Sequence, residues 1–268
     1  MADRAESPDA RPADAGAGAL AAVRVALRRV RFELSALLSL RPVPYLALVD
    51  LYFRLRPEPK PNLSAVGRRT ELVIEGFPRS ANTFAMQALR LAQGREVRLA
   101  HHTHAAAQVL RAAELGVPVL LLCREPESAT LSCLVRDPQI SPRQFLRAYV
   151  RFHEAVWPVR AACVAATFEQ VTSDLGAVVR RLNERFGTRF TPFEHTPENV
   201  QAVFRRIERA NRLYHGRGRL RRTHIGLPSA AKEARKQAFV DALRTPRLAD
   251  LRSRAAKLYD RFRALAEA

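Results

Sequence analysis

Four short apolar runs mark the middle of the chain: Glu71–Glu75, rich in β-branched residues and ended by Gly76 and Pro78, then Val97–Ala100, Val117–Cys123 and Cys163–Phe168. Runs of this length and composition predict buried strands. Between and after them, apolar positions recur at the helical period over Thr83–Leu91, Ala105–Leu115 and Ser141–Val156. Strands alternating with helices predict an α/β fold with a mostly parallel central sheet flanked by helices. Ligands in such sheets bind beyond the carboxyl ends of the strands. The loops that follow the first three strands, carrying Arg79, His104 and Arg124, therefore share one edge.

The flanking segments have other patterns. Residues 1–18 are small, charged and Pro-bearing, and read as a disordered tail. Leu20–Leu40 predicts a helix with Val23, Leu27, Val30, Leu34, Leu37 and Leu38 on one side, and Arg24, Arg28, Arg29 and Arg31 on its other faces. An amphipathic helix of this kind is expected to turn its apolar side to the core; the alternative is peripheral contact with an anionic membrane. Pro42 and Pro44 break it, Tyr45–Leu55 suggests a second short helix, and Arg56–Asn62 (RPEPKPN) is a linker. The expected organisation is thus a tail at 1–18, helices and linker at 19–62, and an α/β domain at 63–268, closed by helices over Ser229–Leu243 and Leu248–Leu265.

Composition narrows the function classes. A chain of 268 residues, 47 % hydrophobic, can bury one sizeable core. Its net charge of +19 attracts anions, whether a nucleotide, an acidic lipid surface, an anionic glycan or nucleic acid. The cations are nearly all Arg, and with the abundance of Ala this points to a GC-rich coding bias behind part of the excess. Cys123, Cys133 and Cys163 are odd in number and widely spaced, which predicts reduced thiols and a cytoplasmic protein. No secretory leader and no apolar run long enough for a membrane span is read in the sequence.

The chemistry concentrates in Glu71–Arg90, ELVIEGFPRSANTFAMQALR. A strand runs through Gly76 and Pro78 into a helix start that carries Ser80 and Thr83. Such a start exposes unpartnered N–H groups, and its dipole favours an anion. Arg79 adds a full charge. A Walker A loop would end in Gly-Lys-Ser/Thr, whereas Ala81, Asn82 and Thr83 stand here and the cation sits inside the loop. The third strand runs into REPESATLS, where Arg124 and Ser132 can both reach one phosphate, the Arg through paired charge-assisted bonds. Between them, LAHHTHAA places three histidines, His101, His102 and His104, in four positions. They suit a general base acting near neutrality. Metal ligation is the other use of clustered histidines, but no His-Glu-x-x-His helix and no paired cysteines accompany them. A plain polar loop remains the third reading.

The segment FPRSANTF, Phe77 to Phe84, resembles the 5′-phosphosulfate loop of sulfotransferases that use 3′-phosphoadenosine 5′-phosphosulfate (PAPS), whose usual form is Tyr-Pro-Lys-Ser-Gly-Thr-Thr-Trp. Pro78, Ser80 and Thr83 match; Arg79 replaces the Lys, Phe84 the Trp and Ala81 the Gly. Arg124, Pro126 and Ser132 are similar to the family's 3′-phosphate element, Thr103 and His104 to its Lys-Thr-His element, and Phe168-Glu169 to the start of its Tyr-Glu-Asp-Leu element. The resemblance covers about Glu71 to Gly187 and implies a P-loop-like sulfotransferase architecture of bacterial type. It implies a donor site of Arg79, Ser80, Ala81, Asn82, Thr83, Phe84, Arg124 and Ser132, with Phe84 stacked on adenine. Arg221 and Arg222 would stand for the family's late Arg-Lys-Gly loop. Arg79 and His104 would be catalytic, His101 and His102 being the runners-up as base. The expected reaction is sulfuryl transfer to a carbohydrate or glycolipid hydroxyl without a metal.

Two rivals stand beside it. A Mg-nucleotide phosphotransferase would need an acidic residue at a strand end, where this chain has Cys123 and Arg124. A non-enzymatic basic protein binding membrane or nucleic acid would account for the charge but not for the ordered motifs; nucleic acid is not the expected partner.

Overall fold

The computed structural model describes residues 12–55, 63–215 and 230–268. Two helices lead, α1 (Pro12–Leu38) and α2 (Pro42–Leu55), followed by β1 (Leu72–Gly76), α3 (Asn82–Ala92), β2 (Leu99–His101), α4 (Ala106–Leu115), β3 (Val119–Cys123), α5 (Pro126–Arg136) and α6 (Pro142–Val156). After a 3-10 turn come β4 (Cys163–Thr167), α7 (Phe168–Ser173), α8 (Leu175–Phe186), α9 (Pro197–His215), α10 (Ala230–Leu243) and α11 (Ala249–Glu267). The four strands pair in parallel in the order β2-β1-β3-β4. This is the expected α/β architecture, a parallel sheet flanked by helices.

Both faces of the sheet are buried, which is why its strands read as unbroken apolar runs rather than alternating ones. On one side Val73, Val119 and Leu121 pack with residues of α4, α6 and α11; on the other Leu72, Ile74, Leu120 and Leu122 pack with α3, α8 and α9. Helix ends follow local chemistry. Ser141 and Gln144 form a reciprocal cap on α6, Thr167 and Gln170 do the same for α7, and Asp174 ends α7 and caps α8.

α1 departs from expectation in two ways. It begins at Pro12, inside the segment read as a tail. Its Leu/Val side does not meet the core: Leu20, Val23, Leu27, Val30, Leu34 and Leu37 are exposed. The contact is made instead by Phe32, Ala36 and Leu40 and by polar bonds. Arg28 Nε donates to Asp137 at 2.9 Å, Arg29 Nε to the Gln139 carbonyl at 2.9 Å, and Arg151 pairs with Glu33 at 3.3 Å. The surface that receives α1 is a polar rim around α5 and α6, so the side carrying Arg28 and Arg29 is the one that meets it. The expected linker at 56–62 lies outside the described residues.

Candidate active site

The site begins where β1 ends. A Cβ on Gly76 would lie 2.4 Å from the Leu122 carbonyl oxygen, so only glycine lets β1 and β3 approach this closely. The chain then turns through two left-handed non-glycine residues, Arg79 (φ 79°) and Ala81 (φ 66°, ψ 17°). Ala81 thus adopts the backbone for which glycine is suited. It precedes α3 and supplies no side-chain cap. Among the described residues no acceptor engages the N–H groups of Asn82 and Thr83, and the buried Ser80 Oγ and Asn82 Oδ1 have no partner. Orphaned donors and a buried hydroxyl around one helix N-terminus form a cradle for an anion. An L-residue held left-handed costs about 1 kcal/mol. Ala81→Gly is accordingly expected to raise stability by about 0.5 kcal/mol after glycine's own entropy is charged against it; a thermal melt at or below that of the parent would show that no strain is held there.

Three cations surround this cradle. Arg124, just after β3, donates from Nη1 to the Arg79 carbonyl at 2.9 Å, while its guanidinium lies 3.9 Å from the Phe168 ring centre. Its carbonyl accepts from the Tyr149 hydroxyl at 2.8 Å, and its buried Nε has no partner. Arg79 Nε donates to Ser132 Oγ on α5 at 2.9 Å. Ser132 therefore touches Arg79, and Arg79 in turn holds Arg124. The N-terminus of α5 is filled by its own Glu125, which accepts from the N–H groups of Glu127 and Ser128. Burial lowers the Arg79 pKa to about 10; the nearby cations Arg136 and Arg124 push the same way, against the opposing influence of Cys133. Burial likewise lowers Arg124. Among the described residues no carboxylate lies within ion-pair distance of Arg79, Arg124 or Arg136, although Glu169, Glu233 and Glu125 act on Arg124 from farther away and oppose the effect of its burial. Arg136 was missed in the sequence, although it lies one helical turn after Ser132 and so on the same face of α5. Lys232 on α10 adds a further charge, its pKa lowered by burial and then by Arg79 and Arg136.

The histidines are organised by a residue that the sequence reading passed over. Glu75, wholly buried in β1, accepts five hydrogen bonds: from Gly76 N, Thr103 N, Thr103 Oγ1, His104 N and Gln108 Nε2, at 2.7 to 3.1 Å. Burial raises its carboxyl, while His104 and the hydrogen bonds pull the other way. This carboxylate folds the loop after β2 around itself and sustains positive φ at His102 (62°) and His104 (51°).

Each histidine has its own partners. Arg90 Nη2 lies 3.2 Å from His101 Nε2, and an Arg can only donate. His101 therefore accepts there and keeps its proton on Nδ1, which faces His102 Nδ1 at 2.8 Å. His102 must then carry its proton on Nε2 and donate it to Thr83 Oγ1 at 2.9 Å. The Thr83 hydroxyl hydrogen is left to point elsewhere, into the loop. Burial, followed by the neighbouring His104, holds the His102 pKa well below its usual value, consistent with a neutral ring. His104 differs. Its Nδ1 lies 2.9 Å from the Gly76 carbonyl and donates to it, so Nε2 keeps a lone pair, and 30 % of the side chain is exposed. Of the three it has a basic nitrogen not committed within the cluster.

The remaining expected site residues fall differently. Phe84 is 7 % exposed and packs against Phe193, Phe204 and His195, so its ring is part of the core beneath α3. Arg221 and Arg222 lie outside the described residues. Among the described residues, no group of three or more His, Cys, Asp or Glu is placed to hold a metal ion. A cavity of about 120 Å³ opens beside His104, walled by Phe77, Pro78 and Thr103 on one side and by Phe32, Ser39 and Tyr45 of the leading helices on the other.

No protein-family model matches the chain, and no curated protein matches it. Among solved structures, the crystal structure of mouse sulfotransferase SULT7A1 complexed with PAP is similar over 76 % of this chain and 90 % of that chain, with 11 % identity and a TM-score of 0.42. What the cradle can hold follows from its own residues.

Proposed function

We propose that this protein transfers a sulfuryl group from PAPS to the hydroxyl of an acceptor, a carbohydrate or a glycolipid. The observation that carries the reading is the trio Arg79, Arg124 and Arg136, without a carboxylate partner among the described residues, set around the uncapped start of α3. Arg79 and Arg124 are part-buried, with Arg136 exposed beside them, and cations drawn out of water are costly unless an anion joins them. The donor's 5′-phosphosulfate lies against the N–H groups of Asn82 and Thr83, the Thr83 hydroxyl and Arg79. Arg124 and Ser132 serve the 3′-phosphate. The acceptor oxygen bonds to sulfur, and its proton passes to Nε2 of His104. The sulfur–oxygen bond to the 5′-phosphate breaks, its electron pair leaving on the phosphate oxygen that Arg79 neutralises. Charge on that oxygen is balanced by side chains, so the step is written without a metal.

Calorimetric titration tests the reading: adenosine 3′,5′-bisphosphate is compared with ATP, each with and without Mg²⁺. Selective, metal-independent binding of the bisphosphate is expected, retained by His104→Ala while transfer from labelled PAPS is lost. A preference for Mg-ATP would move the protein to the phosphotransferases, and failure to bind either would overturn a nucleotide site altogether.

A further inference from the structure

Among the described residues, every exposed large aliphatic side chain except Leu265 lies on α1 or α2. On α1 these are Leu20, Val23, Leu27, Val30, Leu34 and Leu37, between 45 and 64 % exposed. Their spacing places them in one stripe along the helix, opposite the Phe32, Ala36 and Leu40 face that meets the core. Leu48, Leu51 and Leu55 form a shorter exposed row on α2. A contiguous apolar surface of this kind, confined to one region, marks a surface that is covered in use.

We propose that this face docks on an anionic lipid bilayer. Charge selects that occupant. Arg24 and Arg31 follow Leu20 and Leu27 by one helical turn and so border the stripe, and Arg41 stands at its end; all three are exposed, and no ion pair involving them occurs among the described residues. The carboxylates within residues 18–55 are Glu33 and Asp50, paired with Arg151 and Arg54. An apolar stripe edged by uncompensated Arg suits the boundary between acidic headgroups and acyl chains. Stripe-to-stripe pairing of two copies would instead bring like rows of Arg together in a chain of net charge +19. No described helix is long and apolar enough to cross a membrane, so the contact lies along the surface.

The inner side of the same helices lines the cavity beside His104 through Phe32, Ser35, Ala36, Ser39 and Tyr45. On the sulfuryl-transfer reading, on which this second step rests, the acceptor is an amphiphile whose hydroxyl-bearing headgroup reaches His104 from the bilayer.

Flotation of the full chain with vesicles tests the docking independently of any donor. Phosphatidylcholine vesicles are compared with vesicles that also contain phosphatidylglycerol, at low and high salt. Binding is expected on the anionic vesicles and should weaken with salt. Leu27→Glu with Leu34→Glu should cut it by roughly a hundredfold while leaving the melting temperature unchanged, since both side chains are exposed. Arg24→Gln with Arg31→Gln should flatten the salt dependence. Equal partition of the double Glu variant and the parent, no partition of either, or a dimer in light scattering that the Glu variant dissociates would each overturn the proposal. Bisphosphate binding without vesicle binding would sink the docking and spare the donor site; the reverse would spare the docking and remove the amphiphilic acceptor.

Discussion

Arg79→Met is expected to abolish transfer, by at least about a thousandfold, and yet to make the protein harder to unfold. The guanidinium's Nε bond goes to a neutral Ser132 hydroxyl at 2.9 Å, and its pKa is depressed to about 10 by burial first and then by the cations Arg136 and Arg124. In the ligand-free protein this arrangement is a net cost, since a buried charge without a counter-charge is poorly solvated. Methionine keeps much of the volume and removes the charge. A gain of about 1 kcal/mol, or about 2–4 °C in melting temperature, should follow. Adenosine 3′,5′-bisphosphate should raise the melting temperature of the parent and leave that of the variant almost unmoved. A variant that melts lower and still turns over would show that Arg79 is a structural cation and not an anion ligand.

Glu75→Ala should have the opposite character, a large loss of stability from one carboxylate. Five donors converge on it, and all five lose their acceptor together. Unsatisfied buried donors cost about 1–3 kcal/mol each when no water replaces the acceptor, and partial relaxation brings the expected total to about 3–5 kcal/mol. Urea denaturation measures the loss. Hydrogen exchange should localise it, with the amides of Thr103 and His104 losing protection before those of β3. A cost under about 1 kcal/mol would mean that the loop after β2 is held by something other than this carboxylate.

The frame of the molecule was legible because its strands are buried on both faces. Apolar runs such as Leu72–Ile74 and Val119–Leu122, closed by Gly76 and by the Arg124–Pro126 turn, permit little else. Parallel order then put Arg79, His104 and Arg124 at one edge, and the bonds from Arg124 to the Arg79 carbonyl and from His104 to the Gly76 carbonyl join those loops. What escaped the reading depends on facts outside local pattern. Periodicity on α1 said which residues share a side but not which side meets the core. The answer lay in Asp137, Gln139 and Arg151, more than a hundred positions away. Left-handed backbone at Ala81, His102 and His104 is invisible where no glycine announces it. Glu75 did leave a signal: a carboxylate inside an otherwise apolar strand has to be surrounded by donors. The direction of hydrogen bonding from Arg90 to Thr83 needed distances, since only the placement of a group that cannot accept orients the two rings between them.

The Ser39 carbonyl accepts the backbone N–H of Ala107 at 2.8 Å. Ala105, before α4, has no side-chain cap to offer, so the end of α1 satisfies a donor at the first turn of the helix that follows His104. The Tyr45 hydroxyl donates to the Thr103 carbonyl at 3.0 Å in the same loop. The leading helices and the histidine loop are therefore one cooperative unit. Trimming the chain back to the sheet would remove both of these bonds. The segment that carries His104 would lose these anchors, and the anion cradle the histidine loop that stands beside it.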